Sequence, residues 1–156
     1  MIPAKLRPGD EVRVVSPAVS LGFIPEEQKR AAGDRLEALG LRLSYSKNAE
    51  VTDRFDSSPV EMRVSDLHEA FADPGVKAML TTLGGYNSNG LLAYLDYDLI
   101  RANPKILCGF SDKRELAGIP IGASFGHTTP QFTFPIGGSG SLLAENGTVR
   151  FSIEVH

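Results

Sequence analysis

An α/β fold on a doubly wound, mostly parallel sheet is predicted for this chain by three observations. Short β-branched runs alternate with helical patterns between residues 11 and 110, turn formers separate them, and the alternation stops after Asp112. Strands joined through helical crossovers lie parallel, and such sheets need both faces covered. With 156 residues, 42% of them apolar, the chain can bury roughly two thirds of its surface, enough for a real core.

Gly9-Asp10 signals a turn, and Glu11 to Ser16 (EVRVVS) is a β-branched run stopped by Pro17, which predicts a buried first strand. After a loop, Pro25 opens a helix through Leu39 with a charged outer face. Glu26 and Glu27 occupy its first turn, solvated and favourable against the helix dipole, and Gly40 stands at its stop. Leu41 to Tyr45 alternates as a strand does. Ser58-Pro59 opens a second helix in which Val60, Val64, Leu67 and Phe71 recur at helical spacing up to Asp73-Pro74-Gly75. Val76 to Leu83 is predicted as the next strand, and Gly84 to Gly90 as a loop leading through Leu91 to Leu95 into a short helix from Asp96 to Ala102. Pro104 ends that helix, and Lys105 to Phe110 follows as a strand, with Cys108 expected as a small core residue.

Beyond Asp112 the texture changes. Lys113 to Gly118 is too short for a sturdy helix, whereas Phe132 to Ile136, Ser141 to Ala144 and Thr148 to Val155 read as antiparallel strands, the last two around an Asn146-Gly147 turn. Gly137 to Ser141 reads as a wide hairpin loop. The expected organisation is an α/β domain of Rossmann or flavodoxin type over residues 1–112, then a β-rich remnant of a second domain over residues 113–156.

Composition narrows the function classes. A net charge of −3 and an isoelectric point near 5.6 give no basic footprint for nucleic acid or an acidic membrane, so neither partner is expected. One cysteine and three scattered histidines point away from a disulfide framework or a zinc site, and neither metal nor cofactor is expected. The first residues lack the apolar run of a secretion signal and no stretch reaches membrane-spanning length, so a cytoplasmic location is expected.

Two short stretches carry chemistry. Cys108-Gly109-Phe110-Ser111-Asp112 closes an apolar run with a serine on a strand-to-turn pattern, as in a nucleophile elbow, although Lys113 stands where the second glycine of G-x-S-x-G belongs. Ser111 or Asp112 could equally cap a following helix. His127 lies in a loop of small residues, Gly126 and Thr128-Thr129-Pro130, where an imidazole can approach another loop as a general base or remain an ordinary surface histidine. His68, beside Glu69 on the expected solvent side of its helix, and His156 are weaker candidates. The Gly84 to Gly90 loop invites an anion, yet it fits neither G-x-G-x-x-G nor a P-loop.

These residues resemble the LD-carboxypeptidase family of serine peptidases. The resemblance runs in order through Leu6 to Asp10, Val14 to Ala18, Arg63 to Leu67, Ala70-Phe71, Leu83 to Asn89, Leu91 to Asp96, Asn103 to Lys105 and Gly109 to Asp112. The Asn87-Ser88-Asn89 form of the loop is similar to microcin C immunity proteins, and Gly126 to Pro130 with Phe134 to Gly137 resembles the family's carboxyl end. The resemblance implies Ser111 as nucleophile, His127 as general base, the N–H groups of Gly85 and Asp112 as oxyanion hole, and Gly84, Tyr86 and Asn87 beside the substrate. That substrate would be a small peptide or an aminoacyl nucleotide.

Relatives carry an imidazole-orienting glutamate within a long second domain. Here its surroundings are missing and Glu115 is a poor substitute, and Lys113-Arg114 stand where relatives place small or apolar helix residues, which puts a junction at Asp112/Lys113. Internal deletion, engineered truncation and an excised stretch all explain it. The activity that the resemblance implies is hydrolysis of an amide beside a free carboxylate through an acyl-enzyme. A non-catalytic binding module that covers its lost interface by homodimerisation is the alternative, and nucleotide sensing through the 84–90 loop a third reading.

Overall fold

The computed structural model describes residues 3–109, 140–145 and 148–153. Four strands, β1 (Glu11–Val15), β2 (Arg42–Tyr45), β3 (Val76–Thr81) and β4 (Ile106–Cys108), form one all-parallel sheet in the order β2-β1-β3-β4. That is the flavodoxin-type order, with its reversal between β1 and β3. The helices are α1 (Glu26–Ala38), α2 (Val60–Ala72) and α3 (Tyr97–Ala102), with 3-10 turns at Leu21–Phe23 and Ser88–Tyr94. A separate pair, β5 (Gly140–Glu145) and β6 (Thr148–Ile153), is antiparallel with Glu145 opposite Thr148. The expected strand at Phe132 to Ile136, the Asn146-Gly147 turn and the Asp112/Lys113 junction lie outside the described residues.

Successive side chains of a strand point to opposite faces, so the apolar run in β1 feeds two cores. Val15 joins Val76 and Met79 against Val64, Leu67, Ala70 and Phe71 of α2, together with Leu91 of the second 3-10 turn. Val14 turns the other way, to Leu21 and Ala49, with Ile24 and Leu43 at the margin. Val15, Met79 and Leu91 are fully enclosed, and each such burial contributes about 1.5–3 kcal/mol. Helix α1 buries no side chain completely and offers only Lys29, Gly33 and Leu36 half-buried, so its face of the sheet is the more thinly covered.

A polar network closes the amino-terminal ends of the strands. Arg13 on β1 donates from Nη2 to Glu11 Oε1 at 2.6 Å and to Asp73 Oδ2 at 3.0 Å, and from Nε to Ser44 Oγ on β2. Lys105 donates to the carbonyl oxygens of Asp73 and Val76, which caps the end of α2 with positive charge. Helix α3 begins where the Asp96 carboxylate accepts from the N–H groups of Asp98 and Leu99.

Three expectations change. β3 ends at Thr81, leaving Leu83 exposed, because the chain there turns into the loop that meets the end of β1. Cys108 is exposed rather than in the core, since β4 is an edge strand paired only with β3 among the described residues. His68 is half-buried, its Nε2 accepting from the Asp96 N–H at 2.9 Å and tying α2 to the start of α3.

The network sets an acid response. The Ser44 hydroxyl and then Arg13 hold the Glu11 carboxyl below its ordinary value of 4.5, despite some burial, and the Gly75 N–H and then Arg13 hold Asp73 below 3.8. Depressed carboxyls stabilise the fold above their unfolded values, and that stability is lost as pH falls through the folded ones. Burial instead raises Asp66, which opposes the trend. The expected result is that wild type unfolds at higher urea than Arg13→Met near neutral pH and that the gap closes below about pH 4. A gap constant down to about pH 2 would refute this account.

Candidate active site

At the carboxyl edge of the sheet β1 passes directly into a buried segment. Ser16, Pro17, Ala18 and Ser20 are all enclosed, which is unusual for a connection and requires every backbone polar group to find a partner. The segment following β2 supplies several. Ala49 O accepts from Ser16 Oγ at 2.9 Å and from the Leu21 N–H at 2.8 Å, while Asp56 O accepts from the Ser20 N–H at 2.9 Å.

The exit of β3 supplies the rest. The Thr82 N–H donates to Val15 O at 3.0 Å, extending the ladder by one bond, and its hydroxyl donates to Val19 O at 2.9 Å while lying 3.2 Å from Ser16 Oγ. Gly85 then passes so close to the first segment that a Cβ there would stand 2.9 Å from Ala18 Cβ and 3.3 Å from Val19 Cγ2. Space, not a left-handed backbone, demands glycine here, since only Gly9 and Gly40 carry positive φ among the described glycines.

Beyond Gly85, Tyr86 is 72% exposed and Asn87 turns back into the protein. The Asn87 amide donates from Nδ2 to Ser57 Oγ at 2.7 Å, and both its Oδ1 and its backbone oxygen accept from Arg63 Nη1 at 3.3 Å. The same Nη1 donates to Pro17 O at 3.0 Å. Arg63 is only 6% exposed. Ser88 and Leu91 are then fully buried, anchoring the far end of the loop in the α2 core.

Of the residues singled out from sequence, Gly84, Gly85, Tyr86 and Asn87 therefore stand together at the β1/β3 reversal. Ser111, Asp112 and His127 lie outside the described residues; in sequence Ser111 follows directly on Cys108-Gly109-Phe110, where β4 leaves this same edge. Arg63, Thr82 and Ser57 were not expected as parts of the site. Arg63 could have been noticed as a charge within the apolar stripe Val60, Val64, Leu67 and Phe71. Among the described residues no three His, Cys, Asp or Glu side chains gather to hold a metal ion, and no helix is long and apolar enough to cross a membrane.

A buried loop and an exposed glycine loop that meet at the reversal of a parallel sheet mark an α/β protein of the kind that takes ligands at its carboxyl strand ends. Residues 12–117 match the LD-carboxypeptidase N-terminal domain, and the chain belongs to that family. A Bacillus subtilis protein bearing a carboxypeptidase name, YocD, is 56% identical over 112 residues, covering 72% of this chain and 34% of that protein. The chain thus spans about a third of the length of the curated relatives it matches. A solved MccF-like protein from Bacillus anthracis superposes with a TM-score of 0.74 at 60% identity over 75% of this chain and 36% of its own. The microcin C7 self-immunity protein MccF of Escherichia coli is 33% identical over 120 residues, 76% of this chain and 35% of that protein. MccF holding aspartyl sulfamoyl adenosine superposes with a TM-score of 0.70 at 32% identity, over 75% of this chain and 35% of its own.

The contact at Gly85 yields a direct test. Gly85→Ala should destabilise the fold by about 1–3 kcal/mol in urea unfolding, because the Ala18 methyl has no rotamer by which to retreat. Adding Ala18→Gly should return most of that loss. Equal stability of Gly85→Ala and wild type would show that the two loops are not held in contact.

Proposed function

We propose that this chain carries the crevice and the nucleophile of a serine hydrolase of the LD-carboxypeptidase and microcin immunity type, acting on an amide bond beside a free carboxylate. The observation that carries the reading is the glycine loop at the β1/β3 reversal in a chain whose family match runs from residue 12 to residue 117. In this reading Ser111 Oγ attacks the scissile carbonyl carbon while His127 takes its proton. The N–H groups of Gly85 and Asp112 receive the charge developing on the carbonyl oxygen. His127 then returns the proton to the departing amine, and water repeats the sequence on the acyl-enzyme to release the acid. Gly84, Tyr86 and Asn87 border the substrate, Tyr86 through its exposed ring and Asn87 by holding the loop from within.

Two substrate classes fit, a muropeptide with an L,D-linked end and an aminoacyl nucleotide; MccF's complex with aspartyl sulfamoyl adenosine supports the second. The test is incubation with each, followed by chromatographic detection of the released amino acid. Cleavage by wild type and a fall of about a thousandfold or more in Ser111→Ala is the expected outcome. No cleavage of either compound, or an active Ser111→Ala, would remove the catalytic claim.

A second reading, a non-catalytic module that pairs with another copy, is favoured by Leu83, Tyr86, Tyr94 and Tyr97, which remain 41–72% exposed. It predicts a dimer by light scattering at micromolar concentration, weakened by Tyr94→Ser with Tyr97→Ser. A monomer at every concentration would dismiss it.

A further inference from the structure

We infer that Arg63 is the positioning residue of this crevice, a buried clamp that fixes the Gly84–Gly90 loop against the segment leaving β1. The inference rests on reading the crevice as the site. Three acceptors on two separate loops converge on one nitrogen: Pro17 O after β1, and the backbone and side-chain oxygens of Asn87 after β3. The grip continues through Asn87 Nδ2 to Ser57 Oγ, which itself donates to Phe55 O at 3.2 Å, so three connections are linked through one helix residue. Removing a guanidinium from water is costly, and such a group is retained where its hydrogen bonds hold a particular geometry.

The clamp lies just behind the residue whose amide the reaction would use. Gly85 is pressed on Ala18 and Val19 from the front, and Asn87 is drawn inward two positions later, so the backbone between them has little freedom to turn. Lysine is a poor replacement, because its ammonium ends one bond short of Nη1, where the three acceptors converge. Arg63 touches no reacting atom in this account. It acts through the direction it imposes on the loop.

Amide hydrogen exchange tests the inference without requiring turnover. Arg63→Lys and Arg63→Met should each speed exchange at residues 84–88 and 18–20 by about tenfold or more beyond any change in β1 and β3. Val64→Ala, which weakens the same helix through the core, should shift loops and sheet alike. If Arg63→Met does not fold, Asn87→Ala cuts the clamp from the exposed side and should loosen the same two segments. Loop exchange that merely follows the sheet in these variants, or does not change, overturns the inference. Hydrolysis of aspartyl sulfamoyl adenosine is measured alongside, with kcat expected to fall and KM to hold in Arg63→Lys. A rise in KM alone would also overturn it, whereas a wild type that fails to turn over removes the hydrolase reading and leaves the exchange pattern to decide on Arg63.

Discussion

Parallel pairing of β1 with β2 on one side and β3 on the other is the constraint from which the rest of the molecule follows. A strand flanked on both edges has its backbone groups paired, and with helices over both faces its apolar side chains are buried. The β-branched run of β1 meets that condition, with Val14 and Val15 divided between two cores. What leaves such a strand begins inside the protein. The segment from Ser16 to Ser20 is therefore enclosed, and its polar groups are met by Thr82, Ala49, Asp56 and Arg63 instead of water.

The two ends of the sheet solve different problems. At the amino end the chain arrives from the carboxyl terminus of α2, where unpaired carbonyls favour cations. Arg13 and Lys105 supply the charge, and the Glu11 and Asp73 carboxylates balance it. At the carboxyl end hydroxyls, amides and glycines predominate, because close approach of two loops leaves little room for longer side chains. An end crowded with satisfied charges holds the structure together. An end of small residues lets two loops meet in close contact, with Gly85 and Tyr86 left exposed.

The fold was largely legible because its signals are local. Proline and glycine punctuated the chain at Pro17, Pro25, Gly40 and Pro59, and the apolar spacing of α2 named the side chains that pack on Val15 and Met79. The boundaries that moved were set by tertiary pairing. The end of β3 is decided by what Thr82 meets across the reversal, and the exposure of Cys108 by the absence, among the described residues, of a partner on the far side of β4. The glycine loop could be seen as a candidate site, but not its clamp. Arg63 stands out in sequence as a charge within the apolar stripe of α2, but only the three-dimensional path of two distant loops gives it three acceptors.

This division bears on a chain that spans about a third of the length of its relatives. The connections after β1, β2 and β3 that meet at the reversal all lie within residues 16–91, and they are braced by groups within that same span. The bonds that hold Asn87 against the segment leaving β1 come from within this span. Proton transfer is different, because in the proposed reading the base and whatever orients it come from beyond the parallel sheet, and an imidazole held in the wrong direction loses most of its effect. In that reading the glycine loop both borders the substrate and, through Gly85, donates to the oxyanion, whereas the base comes from a different stretch of polypeptide.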